Sequence, residues 1–378
     1  MNPRDCAVAL TALPVMGPAR LLALLRAWEP EEAWAQVVSR RVMAHAEVAE
    51  ACRPDPAGVA ALWWKAASTS DPGALGAAHR AAGVAIDVIG LPGYPATLAE
   101  DHQPPAVLFS RGSLAILDAP RVAIVGTRRC TRYGHDVAHR LGRELAAAGV
   151  VVVSGLAKGI DGAAHEGALS GGAAPPFAVV GSGHDVVYPA VHRSLWRRVA
   201  EAGALVSEAP LGSRPEPWRF PARNRIIAAL AQAVVVVESH AGGGSMHTVE
   251  AANDRARAIL AVPGPVVSPA SVGTNRLIRE GCAPALDADD VLVALGLDAP
   301  VPQCATAAAR PTPEGTAAAV LDALGWAPAT LDQLLGRTGL RPGPAAVALA
   351  ELEAEGWVSA TGGWWERSGV ADVDRGGR

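Results

Sequence analysis

The sequence predicts an α/β protein: a parallel sheet covered by helices on both faces, preceded by a helical segment and followed by a small winged helix. Three observations predict it. Between about residues 84 and 295, short β-branched runs ending in Gly or Ser alternate with helical patterns, as expected of strands buried on both faces. Residues 1–83 are Ala/Leu-rich and lack such runs. Beyond a Pro/Ala stretch at 297–315, three helical patterns and a Gly362-Gly363 hairpin lie within 316–367, and a disordered tail is expected over 368–378.

Composition narrows the class. Of 378 residues, 50% are apolar and 19% charged, which fits a globular chain with more than one domain. No apolar run approaches the ~18 residues that a membrane-spanning helix needs. Met1-Asn-Pro-Arg-Asp5 carries no basic leader, so no signal peptide is expected. Five dispersed cysteines, without Cys-x-x-Cys spacing, fit a reducing cytoplasm and argue against structural zinc. Neither a metal nor a cofactor is expected. The net charge is −4, but residues 121–282 hold 18 Arg/Lys against 12 Asp/Glu. Basic charge is therefore concentrated in the middle third, where a polyanion footprint belongs.

In the first segment, Leu10-Thr-Ala-Leu-Pro-Val-Met-Gly-Pro-Ala-Arg-Leu-Leu22 reads as helix, tight turn, helix, with Pro18 at a helix start. It looks like a helix-hairpin-helix, but only Gly17 stands in the turn and few basic residues flank it. A packing motif suits it better than a DNA contact. The sheet segment contains candidate strands at 121–125, 150–153, 178–180, 205–207, 234–237 and 259–262. Ligands bind beyond the carboxyl ends of such strands, so the turns there form the candidate site. In the last segment, the supposed recognition helix at 344–355 carries Glu351, Glu353 and Glu355 and no Lys or Arg. Phosphate would be repelled, which favours protein docking or a spacer role over DNA reading.

Four turns carry chemistry. After the first strand, Gly126 lets a ligand approach the backbone, and Arg128 and Arg129 supply charge; solvated loop arginines are the plain alternative. Gly-x-Gly-x-x-Gly is absent, so no dinucleotide fingerprint exists. The second turn, Ser154-Gly-Leu-Ala-Lys-Gly-Ile-Asp-Gly-Ala-Ala-His165, offers Lys158 as a phosphate contact. Its Asp161 and His165 lie four apart on one helical face and are read as a structural contact rather than an acid/base pair.

Phe220-Pro-Ala-Arg-Asn-Arg-Ile-Ile227 sets Arg223 and Arg225 around Asn224 beside an expected helix start. Buried without partners, two guanidiniums would be costly, and phosphate is the expected partner. The fourth turn, Glu238-Ser-His-Ala-Gly-Gly-Gly-Ser-Met-His-Thr-Val-Glu250, presents Gly243, Gly244 and Ser245 in a phosphate-cradling composition. It lacks the P-loop Lys, so triphosphate hydrolysis is not expected. Arg276 and Arg279 either line the same groove or cap the surface.

In order, Val125-Gly-Thr-Arg128, the second turn, Phe220–Ile227, the Gly-Ser-x-x-Thr loop at 244–248 and Val262-Pro-Gly264 resemble the DNA-processing protein A family (DprA, also called Smf). The resemblance is close over about 90–290 and looser on both flanks. It implies an extended Rossmann-like sheet at 84–296 that binds single-stranded DNA without enzymatic chemistry. It also implies protection of incoming DNA during natural transformation, help in loading the RecA recombinase, and a homodimer. By the family pattern, Arg128, Arg223 and Arg225 form the basic pocket, with Lys158 and the Gly243–Ser245 loop nearby. The sequence departs at Ala241–Thr248, where that family usually has a Ser-Gly-Ser-Leu-Ile-Thr-like loop. Tyr133, Tyr188, Trp218 and Phe220 are the available stacking platforms.

A second class remains. Gly242–Glu250 is similar to the Gly-Gly-x-Gly-Thr-x-x-Glu loop of nucleoside 5′-monophosphate phosphoribohydrolases, where Glu250 would stabilise a cationic sugar and activate water. Its spacing is stretched by one residue. A third reading is a scaffold acting through its winged helix.

Overall fold

The computed structural model describes residues 1–297 and 312–367. The chain forms two compact units, Met1–Pro302 and Gln303–Arg378. The tail expected over 368–378 and most of the 297–315 linker lie outside the described residues.

The first unit opens with six short helices. Five begin on proline, at Pro3, Pro18, Pro30, Pro56 and Pro72. Proline suits the first helical position because its missing N–H has no intrahelical acceptor there. Asn2, Asp55 and Asp71 cap three of these helices with side-chain oxygens. The expected hairpin forms between Pro3–Thr11 and Pro18–Ala27. Its turn is tied down when the Trp63 indole donates to Pro14 O at 2.9 Å. Trp63, Leu10 and Leu24 are fully buried, and their core continues onto Ile86, Val107 and Phe109 of the sheet.

Nine strands form that sheet: β1 Ala85–Val88, β2 Val107–Gly112, β3 Arg121–Val125, β4 Val151–Ser154, β5 Phe177–Val180, β6 Ala204–Ser207, β7 Ala233–Val236, β8 Ala258–Ala261 and β9 Ala283–Pro284. The spatial order is β1-β2-β6-β5-β4-β3-β7-β8-β9. From β6 to β9 every neighbouring pair is parallel. Every residue of β3 to β7 is buried. The β-branched runs thus become strands because they fill a layer covered on both sides.

The six expected strands are present, most displaced by one residue. β1, β2 and β9 were not foreseen. β2 pairs antiparallel with both β1 and β6, so the sheet is mixed rather than purely parallel. Strand order runs outward from β3 through β4, β5 and β6 on one side, and through β7, β8 and β9 on the other. The reversal between β3 and β7 opens the crevice where ligands of such sheets bind.

The second unit is a winged helix: helices Gly315–Leu324, Leu331–Thr338 and Pro342–Ala354, then a hairpin of Val358–Thr361 and Trp364–Arg367. A short Ala329–Thr330 strand completes its three-stranded sheet. Thr330 and Gln333 form a reciprocal capping box, and the core is Val320, Leu324, Leu334, Leu349 and Leu352.

Candidate functional site

The carboxyl ends of β3, β4 and β7 open onto a groove of about 700 Å³. Its walls are the β3 turn with Arg128 and Arg129, the face of the Arg219–Leu230 helix with Phe220, Arg223 and Asn224, and the loop Gly243–Ser245. A smaller pocket of about 210 Å³ adjoins it, lined by Gly155 and Lys158 after β4 and by Gly181, Ser182 and Pro189 after β5. Arg128, Arg129, Tyr188, Phe220 and Arg223 line both.

The β3 turn is held rigidly. At Gly126, a Cβ would sit 2.8 Å from Glu238 O and 2.6 Å from Ile160, so only glycine fits. Thr127 N donates to Glu238 O at 2.8 Å. The buried Glu238 carboxylate accepts from Thr131 N at 2.9 Å and from the Thr131 hydroxyl at 2.6 Å. Glu238 thereby fastens the end of β7 to the turn that displays the arginines. Sequence reasoning missed this residue, although a lone acid closing the Val234–Val237 run was a visible signal.

Arg128, Arg129 and Lys158 are exposed, and none makes an ion pair among the described residues. The Arg128 guanidinium lies 4.7 Å from the centre of the Phe220 ring. Phe220 in turn meets Tyr188, with ring centres 5.4 Å apart and planes tilted by 41°. Leu156 (φ 53°) and Gly159 (φ 75°) bend the β4 turn that presents Lys158. Uncompensated positive charge beside an aromatic pair suits a phosphate chain that carries flat bases.

The Phe220–Ile227 stretch differs from expectation. It lies inside the Arg219–Leu230 helix rather than at its start. Two residues along a helix are about 200° apart around its axis, so Arg223 and Arg225 face opposite ways. Arg223 is 6% exposed and forms the groove floor. Its guanidinium donates to Gly155 O at 2.7 Å and to Val179 O. At Gly155 a Cβ would sit 2.1 Å from that guanidinium. Burial lowers its pKa to about 10, while nearby Asp161 opposes the fall. It therefore stays charged at neutral pH.

Arg225 does not line the groove. It pairs with Glu208 and donates to Gln103 O at 2.8 Å. The partners expected to be phosphate are, for these two side chains, carbonyls and a carboxylate. Asn224 instead holds the glycine loop, donating to Gly244 O at 3.2 Å.

That loop is held in shape by a few internal bonds. Gly243 N bonds His240 O and Met246 N bonds Gly243 O, while the buried Ser245 hydroxyl donates to Ser239 Oγ at 2.8 Å. Gly243, Gly244 and Ser245 line the groove, and the Gly244 and Ser245 amides have no acceptor among the described residues. Asp161 accepts from Gly155 N at 3.2 Å, and burial raises its pKa. His165 is fully buried, and no hydrogen bond or ion pair joins it to Asp161 among the described residues. Burial brings its pKa down to about 3. Arg276 pairs with Glu280 at 2.7 Å, and neither it nor Arg279 lines the groove. Glu250 is exposed, 3.3 Å from His247, and is not part of the groove wall.

Residues 86–296 match the family described as DNA recombination-mediator protein A, and residues 305–363 match the DprA winged helix domain. A DNA processing protein DprA of Mycobacterium tuberculosis is 45% identical over 194 residues, which is 51% of this chain and 50% of that one. The chain thus spans about half the length of that relative. The X-ray structure of DNA processing protein A from Streptococcus pneumoniae is similar at a TM-score of 0.65 and 30% identity, over 78% of this chain and 98% of that one. DNA processing protein A from Helicobacter pylori, solved to describe its single-stranded DNA binding mode, is similar at a TM-score of 0.52 and 29% identity, over 57% and 96%. Among the described residues, no helix is long and apolar enough to cross a membrane.

Proposed function

Because the chain belongs to the DNA recombination-mediator protein A family, we propose that it binds single-stranded DNA in the groove at the strand ends, protects it, and helps a RecA-type recombinase load on it. One observation carries the binding step: Arg128, Arg129 and Lys158, exposed and unpaired among the described residues, surround the Phe220–Tyr188 ring pair. Cations take the backbone and rings stack only on unpaired bases, which favours a single strand over a duplex. The Helicobacter relative, solved for its single-stranded DNA binding mode, supports the same substrate.

The reading is one of binding without bond cleavage. Asp161 and Glu238, the acids beneath the groove, are buried in structural bonds. Glu250, which a phosphoribohydrolase would need, is off the wall. A homodimer is part of the proposal. Val266, Val267 and Leu286, 87%, 89% and 62% exposed beyond the carboxyl ends of β8 and β9, give it an apolar surface.

The test is fluorescence anisotropy of labelled oligo-dT and a matching duplex across a salt series, with wild type and Arg128→Ala/Lys158→Ala. We expect single-strand preference, a steep salt dependence, and about 30-fold weaker binding in the variant, at roughly 1–1.5 kcal/mol per charged contact. Equal, salt-insensitive binding by both proteins would return the groove to a small nucleotide. Incubation with AMP would then look for free adenine.

A further inference from the structure

We infer that the single strand leaves the groove across the arginine face of the Arg193–Ala202 helix, so that the DNA site extends beyond the groove. This rests on the single-strand reading above and adds the path that the strand follows.

The helix is amphipathic by placement. Leu195, Trp196 and Val199 are buried against the sheet, while Arg193, Ser194, Arg197 and Arg198 are exposed. Arg193 and Arg198 have no ion pair among the described residues, and Arg197 reaches Glu201 only at 3.8 Å with both side chains in solvent. Contacts of that kind contribute little and leave the cation available.

Position makes this face a continuation of the groove. Pro189 lines the smaller pocket together with Lys158. The Ala190–His192 turn then leads directly into the helix. His192 Nδ1 lies 3.0 Å from Leu156 O, and a Cβ at Gly162 would meet the His192 ring at 2.5 Å. The helix start is therefore pinned against the same β4 turn that carries Lys158. Exposed cations lie on this face beyond Lys158, and Arg214, exposed beside the groove-lining Pro215, stands on another wall. Arg193 and Arg197 are one turn apart, about 6 Å along the axis. A strand neutralised by Arg128 and Lys158 in the pockets meets further unpaired cations along this route. Solvated surface arginines, by contrast, would have no directional relation to a binding groove.

Anisotropy with two labelled oligo-dT probes tests the path: one of about six nucleotides, which a single groove can hold, and one of about twenty, which must extend beyond it. The proteins are wild type, Arg193→Ala/Arg197→Ala/Arg198→Ala, and the matching triple Lys variant as a charge-preserving control. The Ala variant should bind the short probe like wild type and the long probe about tenfold more weakly. Its log–log salt slope on the long probe should be shallower by about 2, for three phosphates at about 0.7 each. The Lys variant should behave as wild type. Wild-type affinity and slope on the long probe in the Ala variant would overturn the path and leave the groove reading intact. Equal loss on both probes would also overturn it, as an effect on the whole fold. Failure of wild type to bind either probe would instead overturn the groove reading, and the path with it.

Discussion

The sheet groove and the winged helix are both shapes associated with nucleic acid, but their surfaces are opposite in charge. At the groove, Arg128, Arg129 and Lys158 stand exposed and unpaired among the described residues, beside the Phe220–Tyr188 ring pair. On the winged helix, the third helix Pro342–Ala354 exposes Val347, Glu351 and Glu353 and carries no Lys or Arg. Of the basic residues nearby, Arg337 is bound to Ala323 O and Arg367 to Leu321 O and Asp322, which leaves Arg341, exposed at the helix N-cap, as a single unpaired cation among the described residues. A fold that places a helix for groove reading does not supply the cations that such reading requires. The groove is where several cations cluster uncompensated, and that is why the proposal places binding there rather than on the winged helix.

The two units differ beneath the surface as well. The groove is underlain by buried charge, Arg223 with Asp161, whereas the winged helix buries no ionisable side chain among its described residues. The largest expected effect follows. Arg223→Ala should cost about 3–5 kcal/mol of stability, because it leaves buried Asp161 without its neighbouring cation and two carbonyls without their donor. The denaturant midpoint of the first unit should fall well below that of Arg128→Ala, which should stay within about 0.5 kcal/mol of wild type as an exposed substitution. Wild-type stability in Arg223→Ala would mean that the guanidinium is held for ligand rather than for the fold. The distinction between floor and wall would then collapse.

That prediction also shows what the sequence could convey. The strands were legible because Val-rich runs can be satisfied only in a two-sided core. β1 and β2 were not, since Ala85-Ile-Asp-Val88 is only four residues long and is interrupted by Asp87, and Val107–Gly112 ends in Ser-Arg-Gly. Arg128 and Lys158 were legible as turn residues just past strands. The fate of Arg225 was not, because its partners Glu208 and Gln103 lie 17 and 122 residues away in sequence. The helix start was not legible either: it was expected beside the arginines, yet the helix begins at Arg219, with Pro221 in its third position, where a missing N–H is still tolerated. Local pattern gives an element; only tertiary contact gives a side chain its direction.

Acid should separate the two units next. In the first unit, burial lowers the pKa of His184 to about 4 and of His165 to about 3, and lowers His79, whose Nε2 accepts from Leu211 N. Each is neutral when folded and titrates near 6.5 when unfolded. Stability is therefore full above 6.5 and is lost as pH falls toward the folded values, since the unfolded chain binds more protons. Between pH 6.5 and 5, His184 alone should account for about 2 kcal/mol. Thermal melts at pH 7 and 5 should show the first unit's transition moving down while the winged helix holds. Parallel shifts would contradict the contrast between a core with buried titratable groups and one without.

The smallest expected effect tests the surface contrast directly. A chain ending at Pro302, the limit of the first compact unit, should bind oligo-dT within about twofold of the full chain, because the third helix of the winged helix has no cation to contribute. Its salt slope should be unchanged, since the slope counts phosphates neutralised. In the full chain, Glu351→Lys/Glu353→Lys tests whether the winged helix lacks only charge. If it does, these substitutions should steepen the slope by about 0.7, since positions two apart on a helix face opposite ways and only one can meet the strand. A truncation that instead weakens binding tenfold, with a shallower slope, would place phosphate contacts on the winged helix despite its acidic face. The groove would then be only part of the site.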